Sequence, residues 1–343
     1  MNVLVTGGAG FIGGNFVRYA LKNHPDWRVV NLDKLTYAGR KENLADIEQD
    51  SDTASRYRFV HGDIADMSVI DPLFDEEKIT YVFNFAAETH VDRSIGDPGS
   101  FIQTDVYGTY VLLEAGKRND LKRFIQVSTD EVYGSIDEGS FTEEDKITPR
   151  NPYSASKAGA DRLAYSYYST YGMDVVVTRA SNNYGPYQYP EKLIPLFVTN
   201  ALEDLPLPLY GDGKNVRDWL FVDDHCSGLD FVGERGAAGE TYNIGGGNER
   251  MNIEITNLIL KTLNKPDTLI KPIEDRLGHD RRYSVSTAKL QSLGWKPEKD
   301  FETGIVETIK WYENNRQWWE PIKSGEYKEY YESMYRDRLE KAS

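Results

Sequence analysis

The sequence predicts an α/β protein built on a doubly wound parallel sheet, with a smaller C-terminal lobe. Three observations support this prediction. Short apolar runs alternate with amphipathic segments through the first half of the 343-residue chain, a glycine-rich turn follows the first run, and an acidic residue ends the second. Alternation of this kind is typical of a parallel sheet that is covered by helices on both faces.

The period of the apolar residues predicts each element in turn. Runs rich in β-branched residues predict strands at residues 3–6, 28–33, 57–61, 81–85, 124–128 and 174–179. Apolar residues at three- and four-residue spacing predict helices at residues 11–23, 67–77, 101–117 and 154–171. Beyond residue 179 prolines and glycines interrupt the pattern, so we predict a domain change near Ser181, although a segment near residues 219–247 can return to the first domain.

The composition excludes several classes of protein. A formal net charge of −15 argues against broad binding to nucleic acids or anionic membranes, which requires a wide field of positive charge. The single cysteine, Cys226, excludes an internal disulfide and a cysteine-based zinc cage, and we expect no metal site. The sequence contains neither a basic leader nor a long apolar run, so we expect a cytoplasmic protein.

The turn after the first strand carries a phosphate-binding pattern. Gly8, Gly10 and Gly13 satisfy G-x-G-x-x-G, and Gly7, Gly10 and Gly13 satisfy the overlapping pattern G-x-x-G-x-x-G. Such glycines let a pyrophosphate approach the backbone at the N-terminus of the next helix. Asp33 ends the second strand 20 residues after Gly13, the spacing of a carboxylate that binds the adenosine ribose, which favours NAD over NADP. The alternative is a tight turn without a ligand.

A tyrosine and a lysine one helical turn apart form a candidate proton-transfer pair. Tyr153 and Lys157 share a face of the helix, and an ammonium group beside a phenol favours the phenolate. Tyr37 and Lys41 have the same spacing, so spacing alone does not identify the pair. Tyr153 is favoured because it follows the strand at residues 124–128, at the sheet edge where catalytic groups collect.

Thr129, Asp130 and Glu131 stand directly after that strand. Adjacent carboxylates repel, and in a closed site one of them stays protonated, so the pair offers an acid and a base side by side. The alternative is a pair of carboxylates that only caps a loop. Their position at the end of the strand favours a site and predicts proton transfers beyond simple hydride transfer.

These residues resemble the extended short-chain dehydrogenase/reductase family, and within it the dTDP-glucose 4,6-dehydratases. The resemblance covers nearly the whole chain. The glycine turn and the Tyr153–Lys157 pair are shared across the superfamily, whereas the other matching segments are more specific. The matching segments are residues 6–13, 33–39, 86–94, 128–134, 153–157, 181–186 and 278–283.

The resemblance implies a lyase that uses tightly bound NAD. Tyr153, supported by Lys157 and near Thr129, would take the sugar O4 proton while hydride leaves C4. Glu131 would then remove the C5 proton while Asp130 protonates the departing C6 hydroxyl, and hydride would return to C6. The implied product is dTDP-4-keto-6-deoxyglucose, a precursor for deoxysugar biosynthesis such as that of rhamnose.

The resemblance also implies two sets of binding residues and two domains, an NAD-binding Rossmann domain over residues 1–181 and a mainly sugar-nucleotide-binding domain over residues 182–343. The implied NAD-binding residues are Gly7, Gly10, Phe11, Ile12, Gly13, Asp33, Lys34, Leu35, Thr36, Asp63, Ile64, Phe85, Ala86, Ala87, Thr104, Tyr153, Lys157 and Asn183. The implied substrate-binding residues are Thr89, Thr129, Asn182, Lys192, Leu193, Arg217, Asn252, His279, Asp280, Arg281, Arg282 and Tyr283. The family is typically dimeric through helices that correspond to residues 101–117 and 154–171.

Several alternatives stay open at this point. A UDP-sugar 4-epimerase would share the sheet and the Tyr153–Lys157 pair but has no need of Asp130 and Glu131. GDP-mannose 4,6-dehydratases carry Thr-Ser-Glu at the position of Thr129, Asp130 and Glu131. A UDP-glucose 4,6-dehydratase differs only in the nucleobase of its substrate. A catalytically silent NAD-binding regulator has no need of Thr129. Gly14, Asp105 and Leu277 stand where the family usually has serine, asparagine and proline, and these departures bear on affinity more than on reaction type.

Overall fold

The computed structural model describes residues 1–275 and 280–341. The strands are β1 (Asn2–Thr6), β2 (Arg28–Asp33), β3 (Tyr57–His61), β4 (Tyr81–Asn84), β5 (Arg123–Thr129), β6 (Val175–Ala180), β7 (Asn182–Tyr184), β8 (Leu207–Tyr210), β9 (Val216–Phe221), β10 (Thr241–Ile244), β11 (Glu249–Met251) and β12 (Ile270–Ile273). The helices are α1 (Phe11–Asn23), α2 (Ala45–Gln49), α3 (Ser51–Arg56), α4 (Met67–Glu77), α5 (Val91–Gly96), α6 (Pro98–Phe101), α7 (Thr109–Arg118), α8 (Pro152–Tyr171), α9 (Leu193–Leu202), α10 (Val222–Arg235), α11 (Asn252–Thr262), α12 (Ala288–Ser292), α13 (Phe301–Asn314), α14 (Arg316–Trp319) and α15 (Glu326–Lys341).

The main sheet has seven strands in the order β10-β6-β5-β4-β1-β2-β3, and all its pairings are parallel. The strand order reverses between β1 and β4, and ligands of such sheets bind in the crevice at this point. The predicted doubly wound parallel sheet is confirmed. The β-branched runs form these strands because their side chains are buried on both faces of the sheet.

The second half of the chain forms two small sheets of its own and adds one strand to the main sheet. The strands β7, β9 and β11 form a separate sheet, and β8 pairs with β12. In contrast, β10 pairs with β6 at the edge of the main sheet, so part of the segment near residues 219–247 lies in that sheet. The division near residue 181 into two functional domains stays a prediction.

Large apolar cores hold these layers together. One core covers the face of the main sheet that packs against α1 and α10, and another covers the opposite face with α4, α7 and α8. A third core belongs to the C-terminal lobe and contains Trp318, Trp319 and Tyr335 from the aromatic end of the chain. Within residues 1–275 and 280–341 no helix combines the length and apolarity required to cross a bilayer.

The helix predicted at residues 101–117 is not a continuous α-helix. A π-helical segment, Ile102–Gly108, joins α6 to α7. Such segments often occur at functional sites because the wider turn redirects side chains. Here the π-helical segment packs against α8 and carries Thr104 and Asp105.

Candidate active site

A cavity of about 310 Å³ lies at the carboxyl ends of β1 to β5. It brings together nearly all the predicted NAD-binding residues from widely separated parts of the chain. Those in its lining are Gly7, Gly10, Phe11, Ile12, Gly13, Asp33, Lys34, Thr36, Asp63, Ile64, Phe85, Ala86, Ala87, Thr104, Tyr153, Lys157 and Asn183. Leu35 is not among the lining residues, and its backbone N–H donates to Asp33 Oδ1 over 2.8 Å.

The glycine turn leaves an open cradle of backbone at one end of this cavity. Gly7 has a φ of +68°, and a Cβ atom there would lie 2.8 Å from the backbone nitrogen of Ala86. A Cβ atom on Gly13 would lie 2.4 Å from the carbonyl oxygen of Gly7. Gly10 is the N-cap residue before α1 and has no side chain to cap the helix, so the N–H groups of the first turn are free for a ligand at the cavity end of the helix. The cradle therefore fits a pyrophosphate.

Asp33 lies beside the cradle as a buried carboxylate. Its Oδ2 accepts a hydrogen bond from Ala9 N over 2.9 Å, which fixes the side chain against the glycine turn. Burial raises the pKa of Asp33, whereas hydrogen bonds from the backbone of Leu35 and Ala9 lower it. Lys34 pairs with Asp63 at 2.6 Å, and both side chains lie on the cavity wall. This end of the cavity fits the adenosine ribose of a dinucleotide.

Thr129, Asp130 and Glu131 line the same cavity at the end of β5. Thr129 Oγ1 donates to Asp130 Oδ1 over 3.2 Å and accepts from the backbone N–H of Glu131 over 3.3 Å. Burial, reinforced by the charges of Glu131 and Asp218, raises the pKa of Asp130 well above its usual range. This shift favours the protonated form of Asp130, the form that an acid beside the carboxyl group of Glu131 requires.

Tyr153 begins the first turn of α8 and lines the cavity with Lys157. Lys157 Nζ donates to the carbonyl oxygen of Val127 over 2.8 Å, which anchors α8 to β5. Burial, followed by the charge of Glu131, raises the pKa of Tyr153, while a hydrogen bond with Thr129 lowers it. This direction is opposite to the one expected from Lys157 alone, because burial and the charges of nearby carboxylates raise the pKa.

Asp105 lies behind this pair on the π-helical segment and is 2% exposed. Its carboxylate accepts hydrogen bonds from Ser156 Oγ over 2.5 Å and from the backbone N–H of Glu88 over 2.9 Å. Burial raises the pKa of Asp105 to about 6, against the opposing charge of Lys157. The residue that departs from the family pattern thus adds a titratable charge to the back of the site.

A second cavity of about 170 Å³ adjoins the first and shares Glu131, Asn182 and Lys192 with it. The predicted substrate-binding residues Leu193, Arg217, Asn252 and Tyr283 also line this second cavity. Thr89 lines the first, and its carbonyl oxygen accepts from Lys192 Nζ over 2.6 Å.

Buried polar atoms in the lining of the two cavities point to a ligand. Among the residues that the structure describes, Asn182 Oδ1, Asn252 Oδ1 and Asp130 Oδ2 are buried without a hydrogen-bond partner. Buried polar groups normally have such partners, so these three atoms suit a polar substrate that bridges the two cavities.

Three predicted substrate-binding residues that the structure describes, Asp280, Arg281 and Arg282, do not line either cavity. Arg281 pairs with Asp212 at 2.9 Å, and Arg282 pairs with Glu249 at 2.7 Å, so both guanidinium groups already have carboxylate partners. Asp280 is buried behind the second cavity, where it accepts from Tyr283 Oη over 2.5 Å. His279 and Leu277 lie outside the described residues.

The lining also contains residues that the sequence did not single out as site residues. Tyr37, Glu88 and Glu191 line the first cavity; Tyr37 and Glu88 fall within the matching segments 33–39 and 86–94, whereas Glu191 lies outside them. His225 also lines the first cavity, and its Nδ1 lies 2.9 Å from Asn183 Oδ1. Burial lowers the pKa of His225 to about 3, so the ring is neutral.

The chain combines a doubly wound sheet with a tyrosine and a lysine one helical turn apart, and both residues line the first cavity. This combination defines a short-chain dehydrogenase/reductase. A family model described as "GDP-mannose 4,6 dehydratase" matches residues 4–308. A dTDP-glucose 4,6-dehydratase from Streptomyces antibioticus is 53% identical over 329 residues, which cover 94% of this chain and 96% of that relative. The chain belongs to the dTDP-glucose 4,6-dehydratase family.

Solved structures give the same grouping. DesIV, a dTDP-glucose 4,6-dehydratase from Streptomyces venezuelae solved with NAD bound, is 50% identical, with a TM-score of 0.91 over 94% of this chain and 100% of that chain. A UDP-glucose 4-epimerase from Thermus thermophilus, solved with NAD, is 30% identical, with a TM-score of 0.84 over 92% of this chain and 100% of that chain. The fold is therefore common to both activities, and the identity is higher toward the dehydratase.

Proposed function

We propose that this chain is a hydro-lyase that converts dTDP-glucose into dTDP-4-keto-6-deoxyglucose and water, with NAD regenerated in every cycle. Relatives named for this activity are 50–53% identical over nearly the full chain. The observation that carries the proposal is the position of Asp130 and Glu131 side by side in the first cavity at the end of β5, where burial raises the pKa of Asp130. Elimination of water needs an acid and a base at neighbouring positions, which these two residues provide.

The first part of the reaction oxidises C4 of the sugar. When bound, NAD supplies the hydride acceptor for C4 and, once reduced, the hydride donor for C6. Tyr153 accepts the proton of the sugar O4 hydroxyl as C4 becomes a ketone. Thr129 stabilises the phenolate by a hydrogen bond, and Lys157 places a positive charge in the same buried wall.

The second part eliminates water. The C4 ketone acidifies the C5 hydrogen, which Glu131 removes as a proton, while Asp130 donates its proton to the departing C6 hydroxyl. A C5–C6 double bond conjugated with the ketone forms as water leaves. After reduction of C6, Glu131 returns a proton to C5, so product and substrate differ by one water.

The second cavity suits the nucleotide of the substrate. Arg217 and Lys192 line it and place positive charge there in a chain whose net charge is −15. Asn182 and Asn252 add buried amide oxygens that need hydrogen-bond donors. We assign these residues to dTDP-glucose, and the chain beyond residue 181 mainly to sugar-nucleotide binding.

The carboxyl pair can be tested against the epimerase alternative. In a double variant, Asp130→Asn with Glu131→Gln, we expect no dehydrated product but continued oxidation of C4, which is measured as NADH absorbance. The parent chain should form the dehydrated product without accumulating NADH. Normal dehydration by the double variant would refute the proposed mechanism, and a 4-epimerised product of unchanged mass from the parent chain would identify an epimerase.

We further propose that the protein is a cytoplasmic homodimer. The single cysteine is buried, as suits a reducing compartment. Large aromatic side chains are exposed on the helical face that the family uses for dimerisation: Tyr107 is 41% exposed on the π-helical segment, and Tyr165 and Tyr171 are 39% and 56% exposed on α8. Exposed aromatic residues on packed helices suit an interface with a second copy of the chain.

A further inference from the structure

Four side chains from distant parts of the sequence form a cluster at the wall of the first cavity. Tyr37 follows β2, Arg93 lies on α5, Glu191 precedes α9, and Tyr330 lies on α15. We refer to these four residues as the clasp. Tyr37 and Glu191 line the first cavity, and Glu191 also lines the second.

Glu191 is the acceptor at the centre of the clasp, and its side chain is 2% exposed. Tyr37 Oη donates to Glu191 Oε1 over 2.9 Å. Arg93 Nε and Nη2 each donate to Glu191 Oε2 over 3.4 Å. One carboxylate thus ties the loop after β2 to α5 and to the segment before α9, which are the elements on either side of the cavity.

The guanidinium group of Arg93 lies between two aromatic rings. Its carbon atom is 3.8 Å from the ring centroid of Tyr37 and 4.1 Å from that of Tyr330. A planar cation between two aromatic faces gains attraction from both, and this arrangement requires arginine rather than lysine. Arg93 therefore couples the cavity wall to α15.

Helix α15 also contacts the segment before α9 directly. Tyr327 Oη donates to the carbonyl oxygen of Pro190 over 3.0 Å, and its ring packs edge-on against Tyr189 at 6.0 Å. Tyr189 in turn packs edge-on against Tyr37 at 5.5 Å. The C-terminal helix thus supports the clasp at two neighbouring points.

The proposed reaction imposes a demand that the clasp can meet. The hydride taken from C4 must return to C6 of the same sugar, so NAD must stay bound between the two transfers. We propose that the clasp retains NAD through the catalytic cycle by holding the loop after β2 and the segment before α9 together at the wall of the first cavity. This inference rests on the proposed function, which requires a cofactor that does not dissociate.

The test is the dissociation rate of NAD from the purified full-length protein, measured by displacing labelled NAD with excess unlabelled NAD in the absence of sugar nucleotide. In Arg93→Met and Tyr330→Ala we expect NAD to leave about tenfold faster than from the parent, because each variant removes a cation–ring contact of the clasp. Tyr330→Phe keeps the ring and should keep the parent rate. Arg336→Met, which removes an exposed arginine that pairs with Glu332 on α15, serves as the control and should also keep it.

Parent dissociation rates in both Arg93→Met and Tyr330→Ala would overturn the proposal. Circular dichroism and thermal unfolding establish that each variant is folded. If Arg93→Met does not fold, Arg93→Lys replaces it, since lysine keeps the charge beside Glu191 but loses the planar stacking. A parent rate in Arg93→Lys would then overturn the proposal, and faster release would support it. Because no sugar nucleotide is present, the result stands apart from whether the chain dehydrates dTDP-glucose.

Discussion

At the scale of single residues, the site depends on burial acting on ordinary side chains. Burial raises the pKa of Asp130, and it raises the pKa of Tyr153 although the spacing to Lys157 predicts a lower value. The sequence predicted the identity of these residues because they follow strands at the carboxyl edge of the sheet. The sequence could not predict whether the pKa of Tyr153 is raised or lowered, because the direction depends on how completely the folded chain removes water from the phenol.

The raised pKa of Asp130 predicts that this carboxyl group reduces the stability of the folded chain as pH rises. Its raised pKa means that the folded chain holds this proton more tightly than the unfolded chain does, so its contribution to stability declines as pH rises above about 4. Asparagine does not titrate. In Asp130→Asn we therefore expect loss of dehydration together with a Tm higher by roughly 2 °C or more at pH about 8, and this gain should vanish near pH about 4. A Tm difference that does not depend on pH would contradict this explanation.

The charge of Asp105 predicts a change in pH dependence. Its carboxylate raises the pKa of Tyr153 and ionises at about 6. Asp105→Asn keeps an acceptor for the N–H of Glu88 but removes the charge, so the pKa of Tyr153 should fall. The rate of C4 oxidation is followed as transient NADH absorbance and rises with pH. We expect the midpoint of this rise to lie about one pH unit lower in Asp105→Asn than in the parent. Ser156→Ala is the control, because it removes a hydrogen bond to Asp105 but not the charge of Asp105. If Asp105→Asn and the parent have the same pH–rate profile, the charge of Asp105 does not influence the pKa of Tyr153.

At the scale of elements, the sequence predicted β2 and β3 with their observed limits, since alternation and burial on both faces leave little freedom there. The π-helical segment Ile102–Gly108 was not predicted, because its apolar spacing is close to that of an α-helix. The pairing of Arg281 with Asp212 and of Arg282 with Glu249 was not predicted either. Local sequence does not reveal which distant carboxylate will lie beside an arginine.

The orientation of α8 depends on a buried ion pair. Arg179 on β6 contacts Asp161 on α8, with Nε 2.8 Å from Oδ2, and both side chains are almost fully buried. Removal of one partner leaves an unpaired buried charge, so Asp161→Asn should lower the free energy of unfolding by about 3 kcal/mol in denaturant titrations. Asp204→Asn breaks the exposed pair with Lys265 and should cost less than about 1 kcal/mol. Equal losses in the two variants would mean that burial does not set the strength of the pair.

The exposed aromatic face predicts the oligomeric state. In solution we expect twice the chain mass of 39.1 kDa by light scattering after gel filtration. Tyr165→Glu places a charge on α8 within this face and should shift the protein to the monomer mass. Leu205→Glu alters an exposed apolar residue that follows α9 and should leave the dimer intact. A dimer that survives Tyr165→Glu would place the interface elsewhere.

At the scale of the whole molecule, two cavities meet at the end of β5. The glycine cradle lies at one end of the first cavity, and Arg217 and Lys192 line the second. Glu131 lines both cavities, so the proposed base lies where cofactor and sugar would meet. The sequence indicated both groups of residues but not the clasp, because Tyr37, Arg93, Glu191 and Tyr330 are joined only by the folding of distant segments.

The most direct test of the central claim follows the hydrogen of C4. The purified protein, supplied with NAD, is incubated with dTDP-glucose that carries deuterium at C4, and the product is examined by mass spectrometry and NMR. We predict a product that is lighter than the substrate by one water, with the deuterium at C6 and no net NADH. A product of unchanged mass with inverted configuration at C4, or a dehydrated product without deuterium at C6, would contradict the account.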